Sequence, residues 1–164
     1  MNFWRRLILR LLRVNVTYTD NADVLKSQPC IVVSNHQSLL DGIVFALAAP
    51  VSMDYAVTPK HAVKNIFTSR VLGFLQWCGL GRVVPLSANK VFAIRGLSKS
   101  LILGRSVMIF PTGKITPGED QRGYVWLSEK TKCRIVRASI SGADNSILFS
   151  HSGNKLWPRI ELVI

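Results

Sequence analysis

Cysteines, acidic residues and long apolar runs are all scarce in this sequence. The three cysteines, Cys30, Cys78 and Cys133, lie far apart with no C-x-x-C pair. That excludes a disulfide framework and a cysteine zinc site, and it fits a reducing compartment. Cys30 and Cys133 stand in or beside apolar runs and read as small core residues. Nine Asp and Glu face 21 Lys and Arg, leaving a net charge of +12. Such an excess implies an anionic partner: nucleic acid, an anionic membrane surface, or a phosphorylated or acidic substrate. The cations are dispersed, and no helix-turn-helix, zinc-finger or RNP-like run is present. A membrane or phosphate partner is therefore expected, and no nucleic acid. The oily stretch at the N-terminus falls short of the ~20 apolar residues that span a bilayer and is interrupted by arginines. There is no internal repeat and no low-complexity segment.

What is present is enough for one domain with a sizeable core: 164 residues, 48% of them hydrophobic. Residues 1–14, MNFWRRLILRLLRV, read as an amphipathic helix and the rest, 15–164, as one domain. On a helical wheel Phe3, Trp4, Leu7, Ile8, Leu11 and Leu12 share one half and Arg5, Arg6, Arg10 and Arg13 the other, with Leu9 the exception. Aromatic and leucine residues opposite arginines describe a helix lying in a membrane interface. The plainer reading is a helix packed on its own domain with a solvated basic face. No small-residue cleavage site follows, which argues against a signal peptide.

Beyond it the pattern predicts strands over 14–19, 30–34, 51–57, 81–86, 107–110, 133–141 and 159–164. Helices are predicted from about 38 to Pro50 and over 58–69, 70–77, 90–103 and 123–131, with 21–28 a polar connection. His61 and His151 read as surface residues. The last strand runs to the end of the sequence, so a domain fused to, or cut from, a longer chain is expected.

Two stretches carry chemistry. Residues 30–41, CIVVSNHQSLLD, read as a buried strand, a turn at Asn35, and a helix opening near Ser38. Loops at the carboxyl ends of strands in open α/β sheets are where ligands bind. On one continuous helix His36 and Asp41 would stand roughly 140° apart, so they meet only if the backbone bends between them. A strand-to-helix turn supplies that bend. If they meet, Asp41 fixes the imidazole tautomer and the other ring nitrogen is free to take a proton from a hydroxyl. The competing reading is a capping box between Ser38 and Asp41, with His36 an ordinary loop residue; the two are compatible. The second stretch, 106–117, SVMIFPTGKITP, reads as a strand broken by Pro111 and followed by a glycine turn. Gly113 allows backbone N–H groups to approach an anion, and Lys114 offers a point charge.

Asn35-His36 to Asp41, followed some seventy residues on by Phe110-Pro111-Thr112-Gly113-Lys114, resembles the lysophospholipid and glycerolipid acyltransferases of the HxxxxD type. The likeness is strongest to the acyltransferase part of bacterial bifunctional 2-acylglycerophosphoethanolamine acyltransferase/acyl-carrier-protein synthetases, whose FP-x-G-[R/K]-I-T run continues here through Ile115 and Thr116. Val84-Pro85-Leu86 and Ala93-Ile94 also look similar. The resemblance implies an α/β fold of the glycerol-3-phosphate acyltransferase kind: a central mixed, largely parallel sheet flanked by helices, behind the N-terminal helix.

It also implies a bacterial enzyme of phospholipid metabolism, peripheral at the cytoplasmic face of the inner membrane. The implied reaction transfers a fatty acyl group from acyl-carrier protein or coenzyme A to a lysophospholipid hydroxyl. His36 would be the base and Asp41 its orienting partner, with no acyl-enzyme and no metal or other cofactor. Asn35, Thr112, Gly113, Lys114 and Thr116 would bind substrate. Three positions depart from the family pattern. Thr112 replaces a glutamate, Ser87 falls where an arginine follows the strand, and Arg137 stands where a proline is usual. Those departures keep a second reading open, a non-catalytic lipid- or membrane-binding relative.

Overall fold

The computed structural model describes residues 2–38, 40–57, 73, 81–85, 90–112, 123–148, 150 and 153–164. The predicted helices over 58–69 and 70–77, with His61, and the positions of Ser87 and His151 lie outside them. In chain order the elements are α1 (Phe3–Leu11), β1 (Val14–Thr17), α2 (Asp20–Ser27), β2 (Cys30–Val33), α3 (Asp41–Ala48), β3 (Met53–Val57) and β4 (Gly81–Pro85). After them come α4 (Lys90–Ile102), β5 (Ser106–Ile109), α5 (Gly123–Thr131), β6 (Arg134–Arg137), β7 (Ser139–Ser141) and β8 (Ile160–Val163).

Five strands form a central sheet in the order β4-β3-β5-β2-β6, parallel at every pairing. The antiparallel pairing lies in a second, smaller sheet, β1-β8-β7, where β7 runs against β8. β2 lies inside the central sheet, and all four of its residues are buried. That is why CIVV is a continuous apolar run and not an alternating one. Alternate residues of the strands face two separate cores. Cys30, Val32, Met53, Tyr55 and Met108 point toward α1, α3 and the small sheet. Ile31, Val33 and Val107 point toward α4 and α5. At the end of the sheet opposite His36, the Arg105 Nε donates to the buried Asp54 carboxylate at 2.9 Å, tying β5 to β3.

The strand order creates a crevice. From β2 the chain crosses through α3 to β3, while from β5 it crosses through α5 to β6 on the opposite flank. β2 and β5 are neighbours, so their onward connections diverge, and the carboxyl ends of this pair form the topological switch point where ligands bind.

Three expectations are corrected. Residues 20–27 are a helix, not a connection: the Thr19 hydroxyl accepts from the Asn21 N–H and caps it, and Ala22 and Leu25 anchor it in the core. The strand predicted over 133–141 breaks at Ala138. The Ala138 N–H bonds the Val33 carbonyl, and β7 then leaves for the small sheet. In α1, Leu9 is its most buried residue, and Trp4, Ile8 and Leu12 pack against the same core. Phe3, Leu7 and Leu11 face outward beside Arg6 and Arg10. The helix is rotated so that its apolar residues divide between the domain and the surface.

Candidate active site

β2 ends at Val33, and α3 begins at Asp41, three residues later than predicted. The intervening bend is built by one carboxylate. Asp41 is completely buried, and its Oδ2 accepts from the Gln37 N–H at 2.6 Å, the Ser38 N–H at 2.9 Å and His36 Nδ1 at 2.8 Å. Its Oδ1 accepts from the Ser38 hydroxyl at 2.8 Å. Four donors converge on one side chain, so the loop wraps around the carboxylate. The expected capping box forms only in part: Asp41 accepts from the Ser38 N–H, but the cap position falls on Leu40, which has no side-chain cap bond, and the same carboxylate also holds His36. The carboxylate accepts only, so Nδ1 carries the proton and Nε2 keeps its lone pair.

The imidazole is held on its face as well as its edge. Phe110, the residue after β5, stacks on His36 with ring centroids 4.4 Å apart and planes 23° from parallel. Phe45 of α3 meets Phe110 edge-on at 6.2 Å. The stack follows from register. Val33 pairs with Ile109, and the Ser34 N–H bonds the Ile109 carbonyl, so the two chains leave the sheet side by side. His36 keeps a side-chain exposure of 19% while Asp41 has none. The pair is thus a buried carboxylate behind a partly open imidazole.

Asn35 is spent on structure. Its Nδ2 donates to the Ile140 carbonyl at 2.7 Å, and its Oδ1 accepts from the Ile140 N–H at 2.9 Å. This two-point clamp joins the loop before His36 to β7 of the small sheet. Thr112 lies two residues beyond Phe110, in the turn that follows β5. Gly113, Lys114 and Thr116 lie outside the described residues. Among the described residues no cluster of His, Cys, Asp or Glu is arranged to hold a metal ion. The sequence places the His36–Asp41 pair beside the 110–114 turn and links Ser38 to Asp41, but it does not show that Phe110 stacks on the ring or that the Gln37 N–H also donates. The FP motif names Phe110, but only the pairing of β2 with β5 reveals what it touches.

A parallel α/β domain with a buried carboxylate holding an imidazole at its switch point defines a class: α/β domains whose His–carboxylate pair has the geometry general-base chemistry needs. A family model described as Acyltransferase matches residues 13–141, and the chain belongs to that family. It is 28% identical over 146 residues to a 1-acyl-sn-glycerol-3-phosphate acyltransferase of Streptococcus pneumoniae, covering 83% of this chain and 51% of that protein. It thus spans about half the length of this curated relative. Its fold is similar to that of the 1-acyl-sn-glycerophosphate (LPA) acyltransferase PlsC from Thermotoga maritima. That match has a TM-score of 0.64 at 20% identity, covering 97% of this chain and 68% of the other.

Proposed function

We propose that this chain is a lysophospholipid O-acyltransferase working at a membrane surface. The observation that carries the reading is the 2.8 Å contact between His36 Nδ1 and the buried Asp41, with the imidazole stacked under Phe110 at the switch-point crevice. His36 Nε2 takes the proton of the lysophospholipid hydroxyl as its oxygen attacks the carbonyl of an acyl thioester. The tetrahedral intermediate collapses with loss of the thiolate, which recovers the proton from the imidazolium. An ester forms, a thioester breaks, and no acyl-enzyme intervenes, because a thioester is already activated. Asp41 holds the tautomer and stabilises the transient cation. General-base assistance of this kind supplies ~10²–10⁴-fold.

The donor is an acyl thioester carried by acyl-carrier protein or coenzyme A. For the acceptor, the Streptococcus relative's name points to 1-acyl-glycerol-3-phosphate. The run Phe110–Thr116 resembles that of enzymes acting on 2-acylglycerophosphoethanolamine. Thr112 offers a hydroxyl where those relatives carry a carboxylate, so it is the position at which head-group choice is expected to differ. Gly113, Lys114 and Thr116 are proposed to meet the acceptor phosphate. The outward face of α1, with Phe3, Leu7 and Leu11 beside Arg6 and Arg10, suits peripheral attachment to an anionic cytoplasmic leaflet. Among the described residues no helix is long and apolar enough to cross a membrane.

The test is acyl transfer from labelled acyl-carrier protein and acyl-coenzyme A to a panel of lysophospholipids on vesicles. At least one acceptor is expected to be acylated well above a His36→Ala control, and Thr112→Glu is expected to reorder the acceptors. No transfer to any acceptor above that control overturns the reading.

A further inference from the structure

We infer that Ile147, Leu148, Leu156 and Trp157 form a second membrane-contact patch, clamped to the end of α1, that helps seat the domain on an anionic lipid bilayer. The inference rests on the membrane-surface reading above and extends it to a segment far from α1 in sequence.

Ile147, Leu148, Leu156 and Trp157 expose about half or more of their surfaces, from 49% at Trp157 to 63% at Leu156. Four large apolar side chains each leave about half of their surface in solvent, and clustered exposed apolar surface marks a contact site. The loop is not loose chain. Ser146 and Lys155 form a bridge, the Ile147 N–H bonds the Lys155 carbonyl, and the Lys155 N–H bonds the Asn145 carbonyl. Trp157 then docks the whole segment: its indole N–H donates to the Leu11 carbonyl at 2.6 Å, capping α1. Arg13 returns the contact, donating to the Trp157 carbonyl at 3.2 Å. Leu11 is itself exposed and continues along α1 to Leu7 and Phe3. The loop's apolar residues and those of the helix therefore meet at the Leu11–Trp157 junction.

Charge selects the occupant. Arg13, Lys155 and Arg159 are exposed around this junction, against the acids Asp144 and Glu161. Trp beside Leu and Ile, rimmed by Lys and Arg, is the composition of a bilayer interface. Topology supplies the reason for its position. β6 runs parallel to β2, so both deliver the chain to the end of the sheet that carries His36. β7 continues from there with Ile140 gripped by Asn35, and the 147–157 loop follows it. The eight residues from Ile140 to Leu148 reach at most ~28 Å when fully extended. Leu148 therefore lies within that reach of Ile140, the residue gripped by Asn35, one position before His36.

The experiment is flotation of the full chain with phosphatidylglycerol/phosphatidylcholine vesicles, run beside two triple variants whose replaced side chains are all exposed. One is Phe3→Ser/Leu7→Ser/Leu11→Ser, the other Ile147→Ser/Leu148→Ser/Leu156→Ser. Thermal midpoints and gel filtration without lipid check folding and oligomeric state. Each triple variant is expected to lower vesicle partitioning at least about tenfold, from the apolar area withdrawn from lipid. Brominated lipid is expected to quench wild-type tryptophan emission and to quench Trp157→Phe much less. Loop-variant partitioning equal to wild type, alongside a loss in the α1 variant, overturns this inference and leaves the membrane reading standing. No flotation of the wild type overturns both. A loop variant that changes only the gel-filtration size assigns the patch to a second copy of the chain, and the inference fails.

Discussion

At Asp41 one buried carboxylate accepts four hydrogen bonds and aims the imidazole at the same time. Asp41→Asn places an amide N–H₂ among donors and removes the charge that stabilises a transient imidazolium. It is expected to lower kcat by ~10²–10⁴-fold and to cost about 1–3 kcal/mol of stability, from donors left unmatched. Kinetics and a denaturant titration on the same preparation check both. Phe110→Leu keeps the apolar volume but removes the stack on His36, worth ~0.5–1.5 kcal/mol. A fall in kcat of up to about tenfold, with KM little changed, is the expected outcome.

Tyr55 makes a different kind of test. Its hydroxyl is buried and has no hydrogen-bond partner among the described residues, and burial pushes the phenol above its usual range, with Arg5 opposing. Tyr18 is shifted the same way, by burial first, with Arg6 opposing. A raised pKa means that the folded state holds these protons more tightly than the unfolded chain does. The associated stability is therefore intact below about pH 10, the ordinary tyrosine value, and is lost as pH climbs above it. Tyr55→Phe is expected to be at least as stable as wild type at pH 7, because it removes an unmatched polar group. It should also lose less stability between pH 9 and 11, which thermal melts across that range will show.

Among the elements, the loop between β2 and α3 is the one on which the others converge. Asn35 ties it to β7, Phe110 covers it from β5, and α3 starts from it. Asn35→Ala removes both bonds to Ile140 and is expected to cost about 1–2 kcal/mol and to speed amide exchange at Ile140 specifically. Asn35→Asp should be no better, because its second oxygen would face the Ile140 carbonyl.

How legible each element was depended on what stabilises it. The run CIVV announced a buried parallel strand, and the bend forced by an Asn-His turn brought His36 and Asp41 together. Helix α2 was hidden because DNADVLKS has only Ala22 and Leu25 as buried anchors and depends on the Thr19 cap. The break at Ala138 was hidden because RIVR and SIS alternate as one strand would; the partner sheet, not the pattern, decides where they part. Leu9 was read as the wheel's exception because a wheel sorts residues by type, whereas packing against the α3 side of the sheet set the rotation of α1. The family motif brought the 110–114 turn beside His36, but the ring stack of Phe110 and the Asn35 clamp depend on strand register, which no local pattern encodes.

The whole molecule joins a strongly cationic composition to exposed apolar residues on α1 and near Trp157. Exposed arginines near an anionic surface contribute about 1 kcal/mol each, and salt screens that attraction within ~10 Å at 0.1 M. Vesicle binding is therefore expected to weaken as salt rises without vanishing, since the apolar contribution of Phe3, Leu7 and Leu11 persists. Flotation across a salt series measures the two parts separately. On the proposed membrane-surface reading, the acceptor and the protein share one surface, which is the advantage of such attachment.

The central claim concerns one ring nitrogen. The most direct measurement is the single-turnover rate of acyl transfer from a thioester to a lysophospholipid on vesicles, compared between wild type and His36→Gln with folding and vesicle binding matched. The account predicts a loss of at least about a hundredfold in the variant, with its thermal midpoint and partitioning unchanged. A variant that transfers acyl groups as fast as the wild type would contradict it.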